Sequence, residues 1–311
     1  MKTAICGVWH VHADEYVQHA LNHTEVVGVW DSDPQKLEKF CLKHSLKAFS
    51  SLDELLKSNA DSVIVCSASN EHCEHMIKLA EAKKDIFTEK VLCLNSEDCL
   101  KVKKAVEDNG VKFVISLFQK FVGKIMTVKD VVDSGELGRI NFVRFTNCHN
   151  GSIGNWLPDH FYDREECGGG AMIDLGAHGM YLIDWILGKL PVKYSSAFTV
   201  FDSNPKNADK VEDNAITVMT FDDGCIAVNE TGFVTSSRPI CLEVFGDKGS
   251  VILSANTVTK RIGKESTELE LKENLPRPIE QFVTGKTPEG CGIEEAIRLT
   301  KMMEGAYSNI I

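Results

Sequence analysis

Short apolar runs alternate with stretches of helical periodicity through the first part of the chain. They predict strands at Thr3 to Gly7, Val26 to Asp31, a short one near Ala48, Ser62 to Cys66, Asp85 to Thr88 and Lys112 to Ser116. Runs apolar along their whole length, with helices between them, are the mark of a parallel sheet covered on both faces, and this number of them suits a doubly wound dinucleotide fold. Ser51 and Glu54 have the spacing of a capping box, and Gly110 closes a helix that begins near Ser96. Beyond Ser116 the pattern changes to a helix from Val122 to Ser134, turns at Gly135 and Gly138, and a strand from Ile140 to Asn147. A polar loop then leads to Gly168-Gly169-Gly170 and a helix from about Ala171 to Leu187, which Gly188 terminates. Alternating runs flank Asp222-Asp223-Gly224 and Asp247-Lys248-Gly249, both good hairpin turns, and Ile293, Ala296, Ile297, Met302 and Tyr307 place a helix at the end.

The expected fold class is therefore α/β. Residues 1–118 form an N-terminal Rossmann domain with a doubly wound parallel sheet. Residues 119–311 form a C-terminal α+β domain with a mostly antiparallel open sheet, which binds substrate and mediates oligomerisation, and whose last helix is free to pack back on the first domain.

Composition narrows the function. With 43% hydrophobic and 25% charged residues and no run of ~18 apolar positions, the chain reads as soluble, without a membrane span. The segment Met1 to Gly7 turns polar too soon for an export signal, and the eleven cysteines are odd in number and lack framework spacing. A cytoplasmic protein with reduced thiols is expected. A net charge of −11 without a basic cluster excludes nucleic acid as a partner. His72-Cys73-Glu74-His75 gathers metal-ligand types but has no second pair at zinc spacing, so no metal site is assigned.

The chemistry-bearing residues fall at the ends of strands. The first strand runs into Gly7-Val8-Trp9-His10-Val11-His12 and then a helix, where free backbone N–H groups face a pyrophosphate. Only the first glycine of GxGxxG is present, since Trp9 and His12 occupy the other two places; a plain strand-helix turn is the competing reading. Asp31 ends the second strand where a carboxylate accepts from the ribose hydroxyls, which favours NAD and repels the 2′-phosphate of NADP. The alternative for Asp31 is a helix cap, the role preferred for Asp33 before Pro34. Ser67, Asn70 and His72 follow the fourth strand and border the nicotinamide half, with Asn70 equally placed to cap the next helix. Glu89 and Lys90 follow the fifth strand, where a lysine can stabilise a developing alkoxide, although most lysines are solvated surface. Asp174 and His178 stand one helical turn apart on a largely apolar helix, as an acid/base pair or a surface i,i+4 pair. In the loop before the triple glycine, Trp156 can stack on a sugar ring or anchor the loop, and Asp163 or Arg164 can bond substrate hydroxyls.

Across nearly the whole chain these segments resemble the glucose-fructose oxidoreductase, inositol dehydrogenase and MocA family. The likeness rests on the loop from Gly7, the run Val65 to His72, Phe87-Thr88-Glu89-Lys90 in the place of the family's Glu-Lys-Pro, and Gly168 to His178, with a further stretch from Glu212 to Gly249. The resemblance implies an NAD-dependent oxidoreductase, a dehydrogenase acting on CH–OH groups of a sugar, inositol or related polyol. It also implies a homodimer or homotetramer, with Lys90 and His178 flanking the substrate carbon and Asp174 assisting. The cofactor set is Gly7, Trp9, His10, Val11, Asp31, Ser67, Asn70, His72, Glu89 and Lys90. Two other activities remain open on sequence alone: a non-enzymatic dinucleotide sensor, and a redox-neutral lyase or glycosidase-like enzyme that oxidises transiently. Three departures from the family are Trp9 with His12 in the loop, Val91 in place of proline, and Gln119-Lys120-Phe121 without an arginine.

Overall fold

The opening apolar run becomes strand β1 (Lys2–Cys6), with Ala4, Ile5 and Cys6 wholly buried. In the computed structural model, which describes every residue except Ser203 and Ser237, β1 is an inner strand of a five-stranded parallel sheet. The chain continues through α1 (Ala13–His23), β2 (Glu25–Trp30), α2 (Pro34–His44), α3 (Leu52–Lys57), β3 (Ser62–Val65), α4 (His72–Glu81), β4 (Asp85–Thr88), α5 (Ser96–Asn109) and β5 (Phe113–Ile115). The strand order is β2-β1-β3-β4-β5, so the winding direction reverses between β1 and β3. At such a switch point the loops leaving the two strands part, and ligands collect in the crevice. Helices cover the sheet through amphipathic faces: α1 buries Ala13, Tyr16, Val17 and Ala20, spaced by three and four.

The strand expected near Ala48 is reduced to a single bridge with Val29. Ser45 ends α2 in the left-handed conformation and Ser51 caps α3, which leaves too few residues for a ladder. Phe49 fills the space instead. Its ring lies 2.7 Å from where a side chain on Gly28 would begin, so a strand residue other than glycine has no room there. The capping box is half formed, because Ser51 accepts from the Glu54 amide while the Glu54 carboxylate turns to Ser50.

Residues 118–275 contain α6 (Gly123–Asp133), β6 (Ile140–Cys148), α7 (Arg164–Cys167), a π-helical turn (Met172–Gly176), α8 (Ala177–Leu187) and strands β7 (Lys193–Thr199), β8 (Asn214–Thr220), β9 (Ile226–Gly232), β10 (Cys241–Gly246), β11 (Gly249–Ser254), β12 (Thr257–Ile262) and β13 (Glu265–Leu269). The eight strands are ordered β13-β12-β11-β10-β6-β9-β8-β7, antiparallel except for β6 beside β9. The chain ends with α9 (Pro278–Val283) and α10 (Ile293–Tyr307). Contacts divide it into two compact units, Met1–Leu117 with Pro276–Thr300, and Phe118–Leu275 with Lys301–Ile311.

One face of the larger sheet carries a polar row at its centre. Ser196 on β7, Thr217 on β8 and Asn229 on β9 are in register and wholly buried, followed by Phe145 on β6. Ser196 and Thr217 bond through their hydroxyls at 3.0 Å, and the Asn229 amide donates to the Gly176 carbonyl at 2.7 Å. The row thus supplies a partner for the helix that lies on it, whose first turn is π rather than α as expected. Among the described residues no helix is long and apolar enough to cross a membrane.

Candidate functional site

The loop that follows β1 is set by Gly7. Its φ of +84° and its approach to Ser67, whose backbone nitrogen lies 2.3 Å from where a Cβ would stand, both require glycine. The amide of Val8 donates to Asp31 Oδ2 at 2.6 Å and that of Asp33 to Oδ1 at 2.7 Å. Each carboxylate oxygen keeps a further lone pair for an incoming hydroxyl. Asp33 caps α2 through the amides of Gln35 and Lys36, with Pro34 at the first position, as its sequence context predicts. Trp9 is buried, so its indole is packed inward; Val11 is exposed. Asn70 is also exposed, and neither it nor any other side chain caps α4.

His72 has another occupation. Its Nδ1 lies 2.9 Å from the Val91 carbonyl and 3.2 Å from that of Leu92, and Nε2 is 3.1 Å from the Ser67 carbonyl. The ring ties the loop after β4 to the loop after β3, and burial lowers its pKa against the pull of those carbonyls. Ser67 Oγ meets His75 Nδ1 at 3.1 Å. These two residues hold the crevice wall together.

Glu89 is the centre of a buried cluster. Its Oε1 accepts from His12 Nδ1 at 2.8 Å and from the Tyr16 hydroxyl, and its Oε2 accepts from the Lys90 amide at 3.1 Å. Tyr16 also meets Ser116 Oγ at 2.9 Å. Burial would raise the Glu89 pKa, but the facing imidazoles of His10 and His12 and the nearby Lys90 outweigh it and hold the carboxyl far below its usual range. For His12, burial acts downward, and the charge and hydrogen bond of Glu89 prevail to raise its pKa. Atoms of His10, His12 and Glu89 lie within 4.8 Å of one another, a donor set that can also suit a metal ion. The His12 amide, however, donates to His10 Nδ1 at 3.2 Å, which places the proton of the neutral ring on Nε2, the atom facing Glu89 at 3.9 Å. The arrangement is one of donors around a carboxylate. Lys90 itself is buried beside it.

In the second unit the triple glycine is a packing device. A side chain on Gly169 would strike the Tyr307 hydroxyl, and one on Gly170 would lie 2.1 Å from the Glu212 carbonyl. Glu212 Oε1 accepts from the amides of Gly170 at 2.9 Å and Met172 at 3.1 Å, and from Tyr307 at 2.6 Å. Burial raises the Glu212 pKa even with these donors. The start of the segment bearing Asp174 is thereby fixed. Farther along, Gly179 allows α8 to lie on Asn229 and Phe145. His178 is buried, with Nδ1 2.9 Å from the Tyr181 hydroxyl, and that oxygen accepts from the Gln119 amide at 3.2 Å. The Phe118 ring meets His178 edge to face at 5.1 Å.

Of the residues expected to meet substrate, Trp156 is 54% exposed, which rules out the role of core anchor. Asp163 is the N-cap of α7, and the Arg164 guanidinium donates to the carbonyls of Asp209 and Lys210. Both side chains therefore have local structural partners. Sequence pattern marked Glu212 only as the start of a family-like stretch and gave it no role, because its partners are remote in the chain. Tyr181 was visible only as part of an apolar helix, and His149 only as a residue beyond a strand.

Comparison with known proteins identifies the family. Residues 1–117 match the family model described as oxidoreductase family, NAD-binding Rossmann fold, and residues 125–252 match the GFO/IDH/MocA C-terminal domain. The chain is 28% identical over 212 residues to myo-inositol 2-dehydrogenase of Thermotoga maritima, a match covering 66% of the chain and 60% of that enzyme, and so less than two thirds of its length. It is 24% identical to 1,5-anhydro-D-fructose reductase of Ensifer adhaerens, covering 80% and 74% of the two chains. The crystal structure of aldose-aldose oxidoreductase from Caulobacter crescentus, complexed with glycerol, shares the fold with a TM-score of 0.82 and 17% identity over 99% of this chain and 97% of that one.

Proposed function

We infer from one premise, that this chain belongs to the GFO/IDH/MocA family of oxidoreductases, that it transfers hydride between NAD and a hydroxyl-bearing or keto carbon of a sugar, inositol or related polyol. The observation that carries the reading is the Asp174–His178 segment. A buried histidine and a half-buried carboxylate are presented on a turn held by Glu212 and Asn229. π-turns of this kind recur at functional sites.

The first unit fits a dinucleotide. Gly7 opens the crevice at the switch point, Trp9 is turned inward, and Asp31 offers a buried carboxylate already oriented by two backbone amides. Gly7, His10, Val11, Asp31 and Ser67 would hold the cofactor, with Asp31 selecting NAD by accepting both ribose hydroxyls and repelling a 2′-phosphate. When bound, NAD supplies the carbon that takes up hydride.

The chain's own residues move the proton and carry the charge. His178 Nδ1 lies 2.9 Å from the Tyr181 hydroxyl, which also accepts from the Gln119 amide, and in the tautomer with its hydrogen on Nδ1 the ring has on Nε2 the lone pair needed to accept the substrate hydroxyl proton. Asp174 orients that hydroxyl. Lys90 stabilises the negative oxygen that develops as the proton leaves. The reverse direction uses the same groups. On the strength of the family resemblance we extend the reading to a homodimer or homotetramer, which light scattering would test.

The test is a panel of inositols, hexoses and glycosides with NAD and with NADP, followed by absorbance of the reduced nicotinamide. Accumulation of reduced cofactor with NAD is expected. His178→Ala should lower turnover by about 10²–10⁴-fold and Lys90→Ala by about 10²–10³-fold. Cofactor that binds but never accumulates in reduced form would point to a transiently oxidising enzyme or a sensor and overturn the assignment.

A further inference from the structure

The loop after β6 joins an exposed aromatic surface to the segment that bears Asp174. His149 follows β6 directly: its amide donates to the Gly232 carbonyl at the end of β9, and its ring stacks on Phe233 at 5.0 Å and 11°. Phe233 belongs to a buried cluster with Leu157, Phe161, Tyr162 and Ala171, against which Leu175 packs. Ala171 and Leu175 flank Asp174 in sequence, and Thr231 on β9 donates to the Ala171 carbonyl at 3.2 Å. The loop and the Asp174 segment are therefore built on one strand end.

The loop also fixes what His149 can offer. Gly151 bends the chain so closely over the ring that a Cβ there would stand 2.8 Å from Cε1, and its amide donates to His149 Nδ1 at 3.0 Å. The proton of the neutral ring is thus on Nε2, and His149 acts as a donor. Burial lowers its pKa, partly countered by the negative charge of Asp174, so the neutral form prevails at pH 7. Beside it the Trp156 ring stands 4.6 Å away at 50°. The indole N–H is held by Asn150 Oδ1 at 3.1 Å, which fixes the ring while it stays half exposed.

A fixed, exposed aromatic face next to a hydrogen-bond donor has a specific chemical complement. One side of a closed sugar or cyclitol ring presents several C–H bonds together, and its edge carries hydroxyls. An open-chain polyol must freeze many torsions to offer the same surface. We propose that Trp156 and His149 form a ring-recognition subsite in which the indole face receives the C–H face of a pyranose or cyclitol and His149 Nε2–H donates to a ring hydroxyl, selecting closed rings over open-chain polyols. This rests on the reading of Asp174 and His178 as the place where a hydroxylated substrate reacts.

The experiment measures binding of myo-inositol, methyl α-D-glucopyranoside and D-mannitol to the NAD-loaded protein by calorimetry, together with kcat and KM where turnover occurs. Trp156→Ala should weaken the two ring probes by about 3–10-fold, with Trp156→Phe recovering most of the loss. His149→Phe, which keeps the stack on Phe233, should weaken them by about 2–10-fold through the lost donor. In both cases KM rises and kcat stays within a factor of two; mannitol binding is weak and unaffected. Ring binding that depends on Trp156 while no probe is oxidised would retain the subsite and discard the hydride-transfer reading. Oxidation with ring affinities unchanged in both variants, equal affinity for mannitol, or no detectable ring binding would overturn the subsite.

Discussion

Removal of the Glu212 carboxylate tests whether the Asp174–His178 segment is held as described. Glu212→Ala deletes one oxygen that serves three donors, the amides of Gly170 and Met172 and the Tyr307 hydroxyl, at a site that is 5% exposed. A buried donor left without an acceptor costs about 1–3 kcal/mol. Water entering the space of the lost side chain offsets part of this, so a net loss of about 3–6 kcal/mol is expected, a large share of the ~5–15 kcal/mol by which folded domains are stable. Glu212→Gln keeps an acceptor oxygen and should lose under ~1.5 kcal/mol, and Tyr307→Phe, which removes one donor, about 1 kcal/mol. Urea unfolding followed by fluorescence reads the effect, since Trp156 and Trp185 lie in the same unit as Glu212. Because the chain has two units, unfolding of the second must be fitted as its own transition. The double mutant Glu212→Ala with Tyr307→Phe should be less destabilised than the sum of the singles by about 1 kcal/mol, the energy of the bond they share. At a temperature where Glu212→Ala stays folded, its kcat should fall while its affinity for NAD holds. If Glu212→Ala unfolds within ~0.5 kcal/mol of the parent, the carboxylate does not organise this segment, and if Gln is as damaging as Ala, one acceptor oxygen is not what holds it.

Other perturbations probe the first unit. The His12–Glu89 pair has two opposite pH limits: Glu89, with its pKa depressed, contributes above the ordinary carboxylate value and loses that on acidification. His12, with its pKa raised, contributes fully below the ordinary histidine value and loses that as pH rises through the folded one. The stability difference between parent and His12→Asn should therefore peak between about pH 4.5 and 6.5 and shrink by pH 9, and a difference that does not vary with pH would refute the pairing. Gly7→Ala should cost about 2–4 kcal/mol in thermal or urea unfolding, from positive φ together with collision against Ser67, and an unaltered midpoint would show that the loop has slack. Asp31→Ala should reduce the preference for NAD over NADP by about tenfold or more in competitive binding, and tighter binding of NADP by the parent would remove the ribose role.

What the sequence revealed and what it concealed follow from the range of the interactions involved. Strands buried on both faces need apolar residues throughout, so β1 and β3 stand out locally, and ligands of such sheets gather at the strand ends where Gly7, Asp31, Ser67 and Lys90 lie. The helical spacing of Asp174 and His178 was equally local. The short strand near Ala48 was misread because a ring from Phe49 and a glycine at position 28 decide that edge, and propensity does not register such a contact. Groups that orient the site were hidden for a related reason: Glu212 bonds Tyr307 across 95 positions and Gly170 across 42, and no local pattern marks either.

Glycine is where the two kinds of information meet. In the sequence Gly168-Gly169-Gly170 reads as a turn before a helix, and only Gly168 adopts a positive φ. Gly169 and Gly170 do not adopt a positive φ and are small because Tyr307 and Glu212 press on them, just as Gly179 makes way for Asn229 and Phe145 within α8. Glycine normally costs about 1 kcal/mol within a helix, so glycine at these positions carries long-range contact information in a local symbol. The residues that press on them are the ones holding Asp174 and His178 in place. An alanine at Gly179 would raise helix propensity yet push α8 off the polar row, so the outcome expected is lost stability and lost turnover together, whereas a stabilised and fully active Gly179→Ala protein would mean that the helix does not need its close seat on Asn229.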